Sequence, residues 1–162
     1  MTSDTVRLAA AIRVTRAAGV RLRDSIENDA EALRSGVASG DAANREEAKA
    51  LDAFVQRYQQ MFEHMAQRLF SAIYRADELG ERPPPLRTLF IWAEETGLIS
   101  NSLVWGERAE LRNRLVHEYP VQAAQRAIAL TSAIREAALM LDEFEAALAY
   151  IDRKDLLEGG QT

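Results

Sequence analysis

The sequence contains no cysteine among its 162 residues. This absence excludes disulfide bonds, thiolate metal sites and cysteine nucleophiles, and it fits a protein of the reducing cytosol. Glycine and proline are also sparse, with eight and four residues, so the places where they cluster mark the breaks between regular elements. The sequence therefore predicts a cytoplasmic chain without covalent cross-links, and because it also has no cofactor-binding motif we expect no metal or other cofactor.

Long apolar runs are missing too, and the first residues predict no secretory leader. The apolar stretches are far too short to cross a bilayer, and residues 1–4 are not a basic segment followed by an apolar one, so we predict no membrane contact. Hydrophobic residues make up 48%, which is enough for the core of one domain. The net charge of -5 argues mildly against a protein that coats nucleic acid, but it leaves room for a local phosphate-binding pocket.

Apolar residues recur every three or four positions along most of the chain, which predicts amphipathic helices. We predict helices over residues 4–34, 42–78, 86–96, 101–118 and 121–153, with a linker over 35–41 and a proline spacer over 83–85. The predicted fold is an all-α bundle of four long helices plus one short helix. It forms a single domain over 1–155, followed by a flexible tail over 156–162.

One short segment carries most of the chemical information. Arg112, Asn113, His117 and Tyr119 form the pattern R-N-x-x-x-H-x-Y near the end of the fourth predicted helix. Cleavage of RNA without a metal needs a base for the 2′-hydroxyl group and a cation for the phosphorane. Histidine exchanges protons near neutral pH, arginine forks onto phosphate oxygens, and asparagine can orient an imidazole or hold a phosphate.

Helical geometry separates these groups. At about 100° per residue, Asn113 and His117 lie on one face, whereas Arg112 lies about 140° round from His117. Two copies related by a two-fold axis would pool the side chains in one cleft, so we predict a composite site in a homodimer. Arg108 and Arg114 are expected to extend a basic rim that contacts RNA, although Arg108 could instead pair with nearby Glu107 or Glu110.

This motif resembles the signature of HEPN domains, and its tyrosine is similar to that of the HepT branch, the toxins of HEPN/MNT toxin–antitoxin pairs. Residues 86–99 also resemble the helix and turn that precede the motif in that family. The resemblance implies a HEPN-like bundle and a metal-independent ribonuclease with catalytic Arg112, His117 and Asn113. It also implies a homodimer, an RNA substrate and silencing by an MNT-type nucleotidyltransferase antitoxin that attaches AMP to Tyr119 (AMPylation).

Two other functions stay open. The chain could be a non-catalytic nucleotide-binding or adaptor subunit of a nucleotidyltransferase, which the acidic charge favours and the intact R-N-x-x-x-H pattern disfavours. It could also be a plain helical interaction protein, which leaves the motif unexplained. The other histidine, His64, is expected at the boundary of an apolar stripe, and the sequence has no P-loop, dinucleotide-binding glycine pattern or histidine-rich metal cluster.

Tyr119 is predicted to be a regulatory target and not a catalytic group, because a phenol is a poor base at neutral pH. An AMP adduct would add negative charge two residues from His117 and repel RNA phosphate. Tyr119→Phe should therefore keep much of the ribonuclease activity and escape silencing by the co-expressed nucleotidyltransferase. Intact-mass spectrometry detects the adduct, and modification of the variant to the wild-type extent would show that the target lies elsewhere.

Overall fold

In the computed structural model, residues 2–39, 44–117 and 122–158 are described, and all regular secondary structure within these ranges is helical. The elements are α1 (Ser3–Asn28), α2 (Ala30–Ser39), α3 (Arg45–Glu63), a π-helical segment (His64–Leu69), α4 (Phe70–Asp77), α5 (Leu86–Glu95), α6 (Ser102–Val116) and α7 (Ala123–Arg153). The predicted all-α bundle is thus confirmed, with more helices than predicted. None of the helices in these ranges has both the length and the apolar character of a membrane-spanning segment.

The first predicted helix is in fact two helices, α1 and α2. Asp29 leaves the helical conformation (φ -105°, ψ 12°), while its N–H still donates to the carbonyl of Ser25 at 3.2 Å. The side chain of Ser25 also accepts a hydrogen bond from Arg57 Nη1 of α3 at 2.7 Å. The chain then continues as α2 to Ser39, so residues 35–39, which we predicted as part of a linker, are helical.

Packing against α3 explains why a segment rich in turn residues is helical. A Cβ at Gly36 would lie only 2.8 Å from Cδ1 of Leu51, so α2 and α3 approach closely at this point. One residue earlier, Ser35 Oγ donates to Oε1 of the buried Glu47 at 2.6 Å. These contacts outweigh the weak helical propensity of serine and glycine. Residues 40 and 41 of the predicted linker lie outside the described ranges.

The second predicted helix is confirmed over residues 45–77, but its hydrogen bonding changes to the wider π pattern at His64–Leu69. This long arm runs antiparallel to α1. Thr15 Oγ1 donates to the carbonyl of His64 at 3.4 Å, and Asp4 lies beside Gly80 near the other end of α1. The predicted helical residues 42 and 43 lie outside the described ranges.

The three remaining predicted helices correspond to α5, α6 and α7. Asn101 caps α6 by accepting a hydrogen bond from the N–H of Leu103 at 2.9 Å. The predicted helical residues 118 and 121 lie outside the described ranges. After α7, Leu156 and Leu157 pack against the core, so this part of the predicted flexible tail belongs to the folded domain.

An aromatic cluster anchors α6 in the bundle. The indole ring of Trp105 has its centroid 6.0 Å from that of Phe62 in α3, 4.8 Å from that of Phe70 in α4 and 5.9 Å from that of Phe90 in α5. Aromatic side chains bury large apolar areas, and tilted or edge-to-face pairs at these separations are favourable. The helix that bears the sequence motif is therefore fixed against three neighbouring helices by one side chain.

Gly36 and Gly106 form a matched pair of helical glycines that tests the contact between α2 and α3. Alanine is favoured over glycine in a helix interior by about 1 kcal/mol, and a Cβ at Gly106 would meet no atom of the described residues within 4 Å. Gly106→Ala should therefore raise the free energy of unfolding by about 1 kcal/mol. Gly36→Ala should lower it by about 1 kcal/mol, because overpacking costs about 1–3 kcal/mol and exceeds the helical gain. Denaturant titration measures both values, and equal stabilisation by the two changes would contradict the close packing of Leu51.

Candidate active site

The buried face of α6 decides where the motif residues lie. Residues spaced three or four apart form this face: Trp105, Arg108, Leu111 and Leu115. With that face turned inward, Arg112 lies at its edge beside α3, whereas Asn113, Arg114 and His117 are exposed. The motif side chains therefore leave the helix in different directions.

Arg112 occupies the contact between α6 and the end of α3. Its Nη2 lies 3.3 Å from Oε1 of Glu63, and its Nη1 donates to Oδ1 of Asn113 at 2.9 Å. The guanidinium carbon lies 6.0 Å from the centre of the Phe62 ring, and the side chain is 16% exposed. The Nε atom is buried and has no hydrogen-bond partner in the part of the chain that the structure describes. The guanidinium is thus held in place by a carboxylate, an amide and a ring.

His117 lies at the C-terminal end of α6, where its backbone N–H donates to the carbonyl of Asn113 at 2.8 Å. Its side chain is exposed, on the face of α6 that also bears Asn113. Arg112 lies five residues earlier, which is about 7.5 Å along the helix axis and about 140° round it. One chain therefore holds the imidazole and the guanidinium on different sides of the same helix.

Arg114 is exposed beside a small cavity of about 190 Å³ between α6 and α7. The side chains around this cavity carry both signs of charge: Arg108, Arg114 and Arg135 lie there with Glu107, Glu110 and Glu136. The surroundings of Arg114 are therefore acidic as well as basic. Tyr119 lies outside the described residues, and its role stays a prediction from the sequence.

Arg108 does not lie on a solvent-facing rim. It is only 2% exposed, its Nε donates to Oε2 of Glu136 at 2.8 Å, and its Nη1 pairs with Glu143. Its guanidinium carbon lies 4.7 Å from the centre of the Trp105 ring. The placement argues against the predicted RNA contact by Arg108. Arg108 does pair with glutamate side chains, as the alternative prediction proposed. These partners belong to α7, however, and are not the predicted Glu107 or Glu110 of α6.

Two buried polar atoms lie close to this ion cluster. The hydroxyl of Tyr58 and Nε1 of Trp105 are buried and have no hydrogen-bond partner among the described residues. Burial raises the pKa of Tyr58 well above its usual value, while the positive charge of Arg108 opposes that rise. Tyr58 is therefore neutral at physiological pH and is not a candidate base.

The sequence did not reveal the side chains that hold the two arginines. Glu63 belongs to α3, and Glu136 and Glu143 belong to α7, so all three are distant in sequence from the motif. A single sequence with many charged residues offers no signal that would select them. In the described ranges, no group of three or more histidine, aspartate or glutamate side chains could hold a metal ion.

No family model, no curated protein and no solved structure matches this chain. The resemblance to HEPN domains therefore rests on the motif and on the segment before it.

Arg108→Met should destabilise the fold, because it leaves two carboxylates without their common cation. Breaking a buried ion pair costs about 3–5 kcal/mol. Glu136 and Glu143 are 19% and 23% exposed, so we expect a smaller loss of about 2–3 kcal/mol in the free energy of unfolding. The matched control on the same helix is Arg114→Met, which should change this free energy by less than about 0.5 kcal/mol. A fully stable Arg108→Met protein would contradict the structural role of Arg108.

Proposed function

We propose that the chain is a cytoplasmic, metal-independent endoribonuclease of the HEPN type, with an active site that forms between two copies. The observation that carries the proposal is the placement of His117, which is exposed at the end of the helix that also bears Asn113 and Arg112. An exposed imidazole can reach a substrate hydroxyl group, and the asparagine on the same face can orient it or hold a phosphate.

The proposed reaction is an internal transesterification. The neutral imidazole of His117 takes the proton of the 2′-hydroxyl group, and the 2′-oxygen attacks the adjacent phosphorus atom. The guanidinium of Arg112 donates to the non-bridging oxygens, on which negative charge gathers in the phosphorane. The P–O5′ bond then breaks, the leaving 5′-oxygen takes a proton from water, and His117 returns the 2′-hydroxyl proton to solvent. The products are a 2′,3′-cyclic phosphate and a 5′-hydroxyl group.

A surface that supports dimer formation lies on the same side of α6 as His117. Apolar side chains of α5 and α6, including Phe90, Ile91 and Leu103, line an open cavity of about 690 Å³. Leu103 is 75% exposed and Ile91 is 43% exposed. Leu103 lies fourteen residues before His117, which is almost four helical turns, so the side chains of Leu103 and His117 share one face of α6. Apolar area removed from water is worth about 25 cal/mol per Å², and exposed apolar patches commonly mark interfaces.

The ion pair between Arg112 and Glu63 favours the second candidate function, a non-catalytic nucleotide-binding or adaptor subunit of a nucleotidyltransferase. The guanidinium of Arg112 is already neutralised by Glu63, which suits a chain that does not cleave RNA. For cleavage, an RNA phosphate must replace the Glu63 carboxylate. The Glu63 side chain is 35% exposed, and ion pairs near the surface are worth about 0–1 kcal/mol. A phosphate that accepts two hydrogen bonds from arginine binds more strongly than that. The pair therefore permits the ribonuclease reaction, which we favour.

The resemblance adds a partner to this proposal. An MNT-type nucleotidyltransferase would silence the enzyme by attaching AMP to Tyr119, close in sequence to His117. The phosphate of the AMP adduct would place negative charge two residues from His117 and repel RNA phosphate. Toxicity of the free chain and its relief by the partner follow from the same proposal.

His117→Ala should lower the rate of RNA cleavage by about a hundredfold or more, and Arg112→Ala should lower it by a comparable factor. Wild-type cleavage should persist in excess chelator and leave 2′,3′-cyclic phosphate ends, which mass spectrometry of the fragments identifies. Arg16→Ala, at an exposed position of α1, is the matched control and should cleave as the wild type does. A well-folded His117→Ala protein with full activity would rule out the proposed mechanism.

Mixing the two inactive variants tests the composite site. If Arg112 of one copy works with His117 of the other, a heterodimer of His117→Ala and Arg112→Ala chains contains one intact site. Co-refolded mixtures should then recover a substantial fraction of wild-type activity, while each variant alone stays inactive. Absence of recovery in mixtures that form heterodimers would show that each site uses the two residues of a single chain.

A further inference from the structure

A cationic surface lies between α1 and the segment formed by the π-helical residues and α4, and its lining residues belong to these elements and not to the motif helix. Three arginines with a glutamine and a serine surround a groove of about 350 Å³: Arg7, Arg68, Arg75, Gln67 and Ser71. The floor contains buried Ala11 and Ala72. Among the described residues, no carboxylate lines the groove, although Arg7 pairs with Asp4 beside it at 3.1 Å. We call this surface the arginine groove.

The helical register produces the groove. Arg68 and Arg75 are seven residues apart, so they lie nearly in line along one side of their arm, about 10 Å apart along the axis. The segment from His64 to Asp77 runs antiparallel to α1, which brings Arg7 of α1 to the same end of the groove as Arg75. Small alanine side chains between the arms keep the floor open while the longer arginines rise at the edges. The result is a row of cations and not a single point charge.

One arginine of the groove, Arg68, also acts on a nearby histidine. Burial, Arg68 and Arg21 lower the pKa of His64, which begins the π-helical segment, and Glu63 opposes them. Among the described residues, no ion pair joins Arg68 or Arg75 to a carboxylate. The whole chain nevertheless carries a net charge of -5. An acidic protein thus keeps two neighbouring guanidinium groups, those of Arg68 and Arg75, without a carboxylate partner among the described residues.

We propose that the arginine groove binds the phosphate backbone of a single-stranded nucleic acid. Arginine forks onto phosphate oxygens, and glutamine and serine side chains add neutral hydrogen-bond donors. A row of guanidinium groups about 10 Å long is longer than one phosphate group, so it can contact several successive phosphates of a strand. Packed helix axes lie about 8–10 Å apart, so the groove admits one strand and not a duplex.

The groove recognises the backbone and not the bases, because no aromatic side chain in the described part of the chain lines it for base stacking. The inference that the groove binds a phosphate backbone rests on its lining side chains alone. The identification of RNA as the natural ligand rests on the proposed ribonuclease function. In that function the groove would hold the strand at a distance from His117. It would add affinity without taking part in the chemistry.

Fluorescence anisotropy with a labelled single-stranded DNA oligonucleotide tests the groove, since DNA has no 2′-hydroxyl group and is not cleaved by the proposed reaction. Arg68→Gln/Arg75→Gln should weaken binding about tenfold or more at low salt. It should also flatten the dependence of log Kd on log salt by about 0.7 for each lost phosphate contact. The control Arg16→Gln/Arg23→Gln removes equal charge from the exposed side of α1 opposite Arg7, and it should bind almost as the wild type does.

Three results would overturn the inference. The first is wild-type affinity of the groove variant, and the second is an equal loss in the groove and control variants, which would indicate general charge attraction. The third is displacement of the oligonucleotide by sodium tripolyphosphate at equal phosphate concentration, which would assign the groove to short polyphosphates. Should the glutamine variant fail to fold, Arg68→Lys/Arg75→Lys keeps the charges but loses the forked hydrogen bonds. It should bind more weakly than the wild type, and unchanged affinity of this variant would also count against the inference.

His117→Ala separates this inference from the proposed function. If His117→Ala cleaves RNA normally while the groove variant still loses binding, the proposed ribonuclease site is wrong and the groove stands. If His117→Ala loses cleavage and the groove variant binds normally, the ribonuclease site stands and the groove is wrong.

Discussion

The guanidinium of Arg108, placed between the ring of Trp105 and two carboxylates of α7, determines how α6 sits in the bundle. A charge taken out of water is tolerated only with its counter-charges in place. Rotation or sliding of α6 would separate these groups, so the helix has one favourable orientation. The directions in which Asn113 and His117 leave the helix follow from that orientation, and so does the approach of Arg112 to α3.

Much of the fold could be predicted because apolar periodicity reports directly on helices. The sequence failed where tertiary contacts changed a helix without changing its pattern. The apolar stripe continues past Asp29 and through the segment from His64 to Leu69, so neither the break nor the π hydrogen bonding leaves a sequence signal. The segment with Gly36 has the composition of a turn, yet the contact with Leu51 makes it helical. Intrinsic propensities of about 1 kcal/mol or less are easily exceeded by such packing.

The candidate site shows a similar division between local and distant information. Helix geometry alone separates Arg112 from His117, since the angle between them depends only on their spacing. The environment of each arginine depends instead on residues of other helices. Arg108 and Arg112 are one turn apart, yet one is buried against two carboxylates of α7 and the other is at the edge beside Glu63. Spacing within α6 therefore could not tell a structural arginine from a candidate phosphate-binding one.

The two proposed phosphate-binding surfaces differ in how their cations are neutralised, and this difference gives them different roles. Arg112 already has a carboxylate partner in Glu63, so a phosphate gains there only by displacing it. Arg68 and Arg75 have no such partner among the described residues, so a phosphate adds counter-charge without displacing any. Attraction of a polyanion to unneutralised cations raises its local concentration before any specific contact forms. In the proposed ribonuclease, the arginine groove therefore captures the strand, and the exchange of Glu63 for phosphate at Arg112 selects the position that reacts.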